Sequence, residues 1–295
     1  MTFYAALGAV EIGLAYGIMV IGVYITFRIL DFPDLTVDGS LPLGAAISAV
    51  AISHGVNPYL SLLLALGAGF LAGMVTAILN TKLKILHLLA SILTMIALYS
   101  INIRIMSGPN IALLGADTVF DLPTRLGIPG QWAATAVFAT IGLIALLAII
   151  WFMTTEIGQV TLATGDNPQM IRTLGVDTDK VIIFGVGLSN ALVALSGALV
   201  AQNQGAADVG MGIGTIVAGL ASVIIGETVF GCNTIARAFI AALLGSITYR
   251  LAIALALGLH IGDFHFNPSD LNLITAVLVI VALTAPSIKK GLIRR

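Results

Sequence analysis

Polar residues along this 295-residue chain act as breaks between apolar runs. Many of the runs approach 20 residues, the length an α-helix rising about 1.5 Å per residue needs to cross the ~30 Å hydrocarbon core of a bilayer. The clearest is Trp132 to Phe152, 21 residues without a charge. Trp132 and Trp151 stand 19 residues apart, which sets them near opposite interfaces, where the indole ring is favoured. Reading the runs against their breaks predicts about nine helices, within a range of eight to ten. They fall near 7–29, 38–54, 59–80, 86–106, 131–153, 181–201, 213–229, 233–257 and 270–287. The segments at 38–54 and 213–229 are short and interrupted by glycine, so broken helices are expected there. The pattern defines an all-α polytopic membrane protein with one transmembrane domain over residues 1–295 and a polar loop near 154–180.

Composition agrees. The chain is 59% hydrophobic and 9% charged, with a mean hydropathy of +1.08, whereas soluble domains carry about 25% charged residues. A net charge of −1 excludes a nucleic-acid surface as the main theme. Cys232 is the single cysteine, which rules out an internal disulfide or a cysteine cluster. No basic residue precedes Arg28, so the first segment lacks the charged start of a signal peptide and is expected to stay as a helix.

Alternating crossings can be tested by charge. If 154–180 faces the cytoplasm, then Arg28, Lys82, Lys84, Arg172, Lys180, Arg237, Lys289, Lys290, Arg294 and Arg295 lie inside. Only Arg104, Arg125 and Arg250 lie outside. This bias predicts an external N-terminus and a cytoplasmic C-terminus. The spacings Gly13/Gly17 and Gly69/Gly73 suit close helix packing in lipid. "DFPDLTVDGSLPLGAAISAVAI" (31–52) resembles "AADVGMGIGTIVAGLASVIIGE" (206–227), each running from an acidic, glycine-bearing turn into a short helix. The two would cross in opposite directions, as an inverted repeat with broken helices requires.

The stretch "ATGDNPQMIRTLGV" (163–176) interrupts the apolar text with a short capped helix. Asn167–Pro168 reads as N-cap and first helical position, Gly175 as the stop. Two turns are too short to be stable alone. Met170, Ile171 and Leu174 share a side and need a surface, either the bundle itself or a groove in a partner.

Candidate residues at membrane depth are Asp34, Asp38, Ser40, Asn102, Ser189 and Asn190. Carboxylates there mark a translocation path or a counter-ion, or they cap helices at an interface. The neutral residues either line the path or form interhelical hydrogen bonds. Glu11 joins Asp34 and Asp38 as a candidate for binding a coupling ion in a self-contained secondary transporter or channel. Glu227 is expected at the cytoplasmic surface. Gln202, Asn203 and Gln204 either line an outer mouth or cap a helix end. His260 and His265 share a loop with Asp263, but their spacing matches no recognised metal site, and no metal is expected. The chain has no G-x-x-x-x-G-K-[ST] loop, G-x-S-x-G elbow or H-E-x-x-H motif, so neither nucleotide binding nor catalysis is expected of it.

"TLATGDNPQMIRTLGVDTDKVIIFGVGLSNALVALSGALVA" resembles the central region of permease subunits of ABC importers that handle branched-chain amino acids, ribose-type sugars and nucleosides. Gly165, Asn167, Leu174 and Gly175 keep that group's landmarks, and "ALSGALVA" (194–201) keeps its helix ending. "ILDFPDLTVDGSLPLGA" (29–45) and "VNPYL…GMVTAILNTKLKILHLLASILTMIAL" (56–98) resemble two further segments in the group's order. The sequence departs from the pattern where "KILHLLASILTM" lacks a proline and where Glu227 replaces a frequent glycine. The resemblance implies a bacterial plasma-membrane permease, working as a dimer by alternating access and most similar to amino-acid branches, aromatic or branched-chain. It implies that Gly165, Asp166, Asn167, Pro168, Met170, Ile171, Arg172, Leu174 and Gly175 form a coupling helix seated on a cytoplasmic ATP-binding subunit. It further implies solute delivery by an extracytoplasmic binding protein, no cofactor on this chain, and ATP with Mg on the partner ATPase.

Overall fold

The helices α3, α7, α8 and α9, numbered in chain order below, start where the sequence supplies a side-chain cap. The computed structural model describes residues 3–257 except 126 and 128, together with 260, 261, 264, 265, 276, 277, 280 and 284. Within them the chain is almost entirely helical. The first four helices are α1 (Phe3–Tyr24), continued by a π-helical turn at Ile25–Ile29, α2 (Val37–Ser53), α3 (Pro58–Thr81) and α4 (His87–Met106). There follow α5 (Asp121–Arg125), α6 (Gly130–Thr154), α7 (Glu156–Asp166), α8 (Pro168–Thr173) and α9 (Thr178–Gln204). The last two are α10 (Thr215–Phe230) and α11 (Ile235–Leu257). Asn57 Oδ1 accepts the Tyr59 N–H at 2.9 Å and Pro58 opens α3. Asp177 accepts from the Asp179 and Lys180 N–H groups to start α9, and Gly205, at φ 70°, ends it.

Among the described residues, seven helices are long and apolar enough to cross a membrane, with α2 shorter. One of the seven is α10 together with the 3-10 turn Val209–Gly212 before it. Eight of the nine expected segments are therefore helical where the sequence placed them. The ninth, 270–287, lies mostly outside the described residues, as do Lys289, Lys290, Arg294 and Arg295. Two details differ from expectation. The first segment does not finish as an α-helix: the Leu30 N–H reaches back five residues to the Ile25 carbonyl, giving the π turn. The polar loop also contains a helix, α7, ahead of α8. Its inward face is Gly158, Thr161 and Thr164, with the threonine hydroxyls bonded back to the Ile157 and Val160 carbonyls. A buried face of glycine and self-satisfied threonine leaves no apolar stripe to read.

Contacts at the helix ends define two faces. On one, β1 (Asn110–Ala112) pairs antiparallel with β2 (Ala206–Asp208), joining the ends of α4 and α9. On the other, Lys82 at the end of α3 bonds Asp179 at the start of α9 at 3.0 Å. Arg28, Lys82, Lys84, Arg172, Lys180 and Arg237 all belong to this second face, the one that carries α7 and α8. A separate short ladder pairs β3 (His260–Ile261) with β4 (Phe264–His265).

The core gathers around α9, which is buried along most of its length and packs against α1, α2 and α3. Burying apolar area does not drive helices together in lipid, so backbone proximity through small residues has to. A Cβ on Gly44 would overlap the Ala194 carbonyl, one on Gly69 the Asn190 carbonyl, and one on Gly197 the Leu41 carbonyl. Gly13 makes a comparable backbone approach to Ile247 of α11, while Gly17 faces mainly the Leu243 side chain. Both glycine spacings thus serve packing within the bundle. Gly44→Ala is expected to lower stability by about 1–3 kcal/mol, the usual cost of overpacking. Gly67→Ala, whose Cβ meets nothing within 4 Å, is expected to be neutral or to gain up to ~1 kcal/mol from helix propensity. Thermal unfolding of the two variants in detergent distinguishes them.

Candidate functional site

Two places collect the polar residues: a junction inside the bundle and the segment on the basic face. The junction begins where the chain turns back after α1. Asp31 sits there with φ 49°, and residues 32–36 return into the protein before α2 starts. Asp34 is buried. Its Oδ1 accepts the Thr36 N–H at 2.9 Å and its Oδ2 accepts Asn190 Nδ2 at 2.7 Å. Asn190 Oδ1 accepts the Ser40 hydroxyl at 2.7 Å, and Thr36 and Thr76 share a hydroxyl contact at 2.8 Å. Ser189 donates to the Gly22 carbonyl at 2.7 Å. Asp34, Ser40, Ser189 and Asn190 therefore bond to one another or to backbone between α1, the start of α2 and α9. Polar groups so satisfied can sit in an apolar interior without prohibitive cost.

Asp38 makes a different connection. Its carboxylate accepts the Gly214 N–H at 3.0 Å, the Ile216 N–H at 2.8 Å and the Thr215 hydroxyl at 3.0 Å. These groups form the N-terminus of α10, so a residue in the first turn of α2 caps another helix. Gly214 takes φ 77°, and a Cβ on Gly212 would overlap the Asp38 carbonyl, so glycine brings the two backbones together. The α2 helix ends at the face where α3 begins, and α10 ends at the opposite face where α11 begins. The two segments read as an inverted pair thus run in opposite directions and touch at their starts. With 17 and 16 residues, each covers about 25 Å, less than the ~30 Å core, and the meeting point falls within the bundle.

Beside this junction lies a cavity of about 350 Å³ lined by Asp38, Pro42, Met95, Tyr99, Asn102 and Ile213, among others. Asn102 is buried and donates Nδ2 to the Gly39 carbonyl at 3.2 Å, while its Oδ1 has no hydrogen-bond partner among the described residues. Of the predicted path residues, Asp38 and Asn102 share this cavity and the other four do not line it. Sequence reading missed Met95 and Tyr99, although Met95, Tyr99 and Asn102 stand at i, i+4, i+7 on one face of α4. Glu11 is elsewhere, accepting the Thr135 hydroxyl at 2.7 Å. Gln202 is a buried tie: Oε1 accepts the Val119 N–H and Nε2 donates to the Ser48 and Ser61 hydroxyls. Among the described residues, no group of three His, Cys, Asp or Glu is placed to hold a metal ion.

On the basic face, Asn167 Oδ1 accepts the Met170 N–H at 3.0 Å to start α8, and Gly175 follows its end at φ 86°. Arg172 donates Nε to the Thr178 hydroxyl at 2.6 Å and reaches Asp179 at 3.3 Å. Asp179 also holds Lys82, so one carboxylate ties α8, α9 and the end of α3. The short helix splits its apolar residues. Ile171 is 5% exposed and Met170 and Leu174 are 48% and 71% exposed. A Cβ on Gly165 would overlap the Ile29 carbonyl, so α7 rests directly on the π turn. Gly165 and Asp166 line a cavity of about 490 Å³ together with Tyr24, Arg28 and Asp31. Arg28 also forms a two-pronged ion pair with Glu227 near the end of α10, its Nε bond measuring 2.8 Å. Those partners are 199 residues apart, beyond the reach of any local pattern.

Antiparallel half-helices meeting inside an apolar bundle, with a tethered helical segment on its basic face, are an arrangement met in multi-pass membrane transport proteins. Residues 6–283 match the family described as branched-chain amino acid transport system / permease component, and the chain belongs to that family. It is 40% identical over 279 residues to the tyrosine transport system permease protein of Clostridioides difficile, covering 95% of this chain and 90% of that protein. It is 31% identical over 165 residues to the autoinducer 2 import system permease protein LsrC of Yersinia pseudotuberculosis, covering 55% of this chain and 45% of that one. In fold it resembles PsaBC from Streptococcus pneumoniae in complex with Fab, with a TM-score of 0.53, 14% identity and coverage of 96% and 91%.

Proposed function

We propose that this chain is the membrane-spanning subunit of an ATP-driven importer that carries an amino acid by alternating access. A short helix tied into the bundle through Arg172, yet presenting Met170 and Leu174 outward, is the observation that carries this reading. Such a helix suits a groove on a cytoplasmic ATP-binding subunit, with Gly165, Asp166, Asn167 and Pro168 setting its angle and Gly175 its end. ATP and Mg belong to that subunit, since this sequence has no phosphate-cradling loop. An extracytoplasmic solute-binding protein delivers the solute, and a second copy of the chain completes the path within the bacterial inner membrane. The N-terminus lies outside and the C-terminus in the cytoplasm, placing the basic face inward. The tyrosine transport permease of C. difficile supports an amino acid as cargo.

The test is reconstitution. Proteoliposomes holding this chain, its ATP-binding subunit and its solute-binding protein are expected to accumulate L-tyrosine only when ATP is present on the subunit side. Flux driven by an ion gradient through this chain alone, without ATP, would overturn the reading and return coupling to Asp34, Asp38 and Glu11.

A further inference from the structure

A cavity of about 660 Å³ lies between α3 and α6, away from both the α2–α10 junction and α8. Leu66 of α3 and Ile141 of α6 form its walls, Leu195 of α9 lies beneath, and Leu122 and Pro123 of α5 border one end. Among the described residues, no charged group lines it. Its hydroxyls are those of Tyr59, in the first turn of α3, and Thr140, which donates to the Ala136 carbonyl of its own helix at 2.7 Å. Nothing along its length therefore calls for a polar ligand.

The cavity is a slot of limited length. Its lining runs from Tyr59 to Leu66 on α3 and from Ala136 to Ile144 on α6, about 10–12 Å at the helical rise. Toward the basic face, Phe184 of α9 stacks on Phe70 of α3 and on Phe152 of α6, with ring centroids 5.7 Å apart in each pair. This aromatic bridge closes the gap between α3 and α6. At the other end stand Val119 and α5. A helix from a second copy is ~10–12 Å wide and needs the full ~30 Å core, so it does not fit. One leaflet is about half that core, and the slot covers most of it.

The open side faces hydrocarbon. Leu63 and Ile144 stand exposed at its lips, and the surface continues into exposed Leu60 and Leu64 of α3 and Leu143 and Leu147 of α6, two of the membrane-length helices. The slot is thus continuous with the lipid-facing surface of the bundle. Even an apolar cavity of ~150 Å³ stays dry and takes up apolar molecules. We infer that this slot holds one acyl chain of a phospholipid from the leaflet on the β1–β2 face, entering between Leu63 and Ile144 and lying on Leu195. The headgroup stays at the interface beside Tyr59 and α5, so the slot selects a chain and not a headgroup. The bound chain completes the packing of α6, the helix that leads into α7 on the opposite face. This site stands whatever solute the protein carries.

Native mass spectrometry of the full chain, purified with palmitoyl-oleoyl phosphatidylglycerol or phosphatidylethanolamine, tests the inference. One phospholipid per chain is expected to stay bound after all other lipid is stripped, with either headgroup. Ala136→Phe combined with Thr140→Phe fills the slot and is expected to lower that retention at least tenfold. Ala139→Phe adds bulk on an exposed part of α6 outside the slot and is expected to leave retention unchanged. A wild-type chain free of lipid, equal retention by the filled variant, or retention of one headgroup alone would each overturn the inference. So would a dimer that sheds the lipid as it associates through α3 and α6. A second measurement leaves the slot unmutated. Trp151→Phe makes Trp132, one turn before Ala136 on α6, the only tryptophan. Phospholipid brominated in its acyl chains is expected to quench that fluorescence saturably, at one lipid per chain in detergent. Quenching that rises without saturation would count against a bound chain.

Discussion

A chain carrying Met170→Asp and Leu174→Asp is expected to lose ATP-driven uptake while keeping its fold. Met170 on α8 and Leu174 just after it are both exposed in the isolated protein, so placing a carboxylate on each disturbs little of the interior. Seated in a partner's apolar groove, the same side chains would contribute about 1.5–3 kcal/mol each. Losing both amounts to roughly 3–6 kcal/mol, a hundredfold or more in affinity for the ATP-binding subunit. Co-purification of the two subunits, alongside a thermal melt of the variant, measures the two halves of this expectation. Wild-type assembly and uptake by the double variant would sink it. Ile171 must be left untouched. It is buried against the bundle, and Ile171→Asp would place an unpaired charge in the interior, losing folded protein rather than coupling.

The second large effect is expected at Asp38. Asp38→Ala removes the acceptor of the Gly214 and Ile216 N–H groups and of the Thr215 hydroxyl at once. Hydrogen bonds to a charged group contribute about 1.5–3 kcal/mol each, and a backbone N–H left unmade inside a membrane protein costs several kcal/mol. A loss of at least ~3 kcal/mol is expected after allowing for non-additivity, with early protease cleavage between β2 and α10. Asp38→Asn keeps a carbonyl oxygen and is expected to lose roughly half as much. Unfolding of Asp38→Ala at the wild-type temperature would mean that the start of α10 is held by its own loop.

The spans were legible because most are long apolar runs broken by polar, glycine or proline residues that a single sequence displays, Asn57–Pro58 before α3 being one such break. The start of α8 was legible for the same reason: Asn167, Pro168 and Gly175 state a short helix without tertiary context. The helix α7 was not, because Gly158, Thr161 and Thr164 bury a face that has no hydrophobic period. The burial of Ile171 depends on which side of a two-turn helix meets the bundle, and spacing cannot choose between Ile171 and its neighbours. The candidate path residues were legible as polar groups at membrane depth, but their sorting was not. Asp34 and Asn190 satisfy each other across 156 residues, whereas Asp38 and Asn102 line an open cavity, and only the packed fold separates these outcomes.

The five residues of the π turn have a mechanical consequence. The helix α7 rests on them through Gly165 against Ile29. From the same turn, the peptide 30–36 leads into the start of α2, and the Arg28 guanidinium grips Glu227 at the far end of α10. The turn is a fork whose handle is α7 and whose two tines hold the two half-helices. A push on α7 reaches both at one moment, and it reaches them from opposite ends: α2 at its beginning, α10 at its last turn. Since those helices are pinned together at Asp38, displacing the handle loads the pin from two sides, and the pin sits at the wall of the cavity.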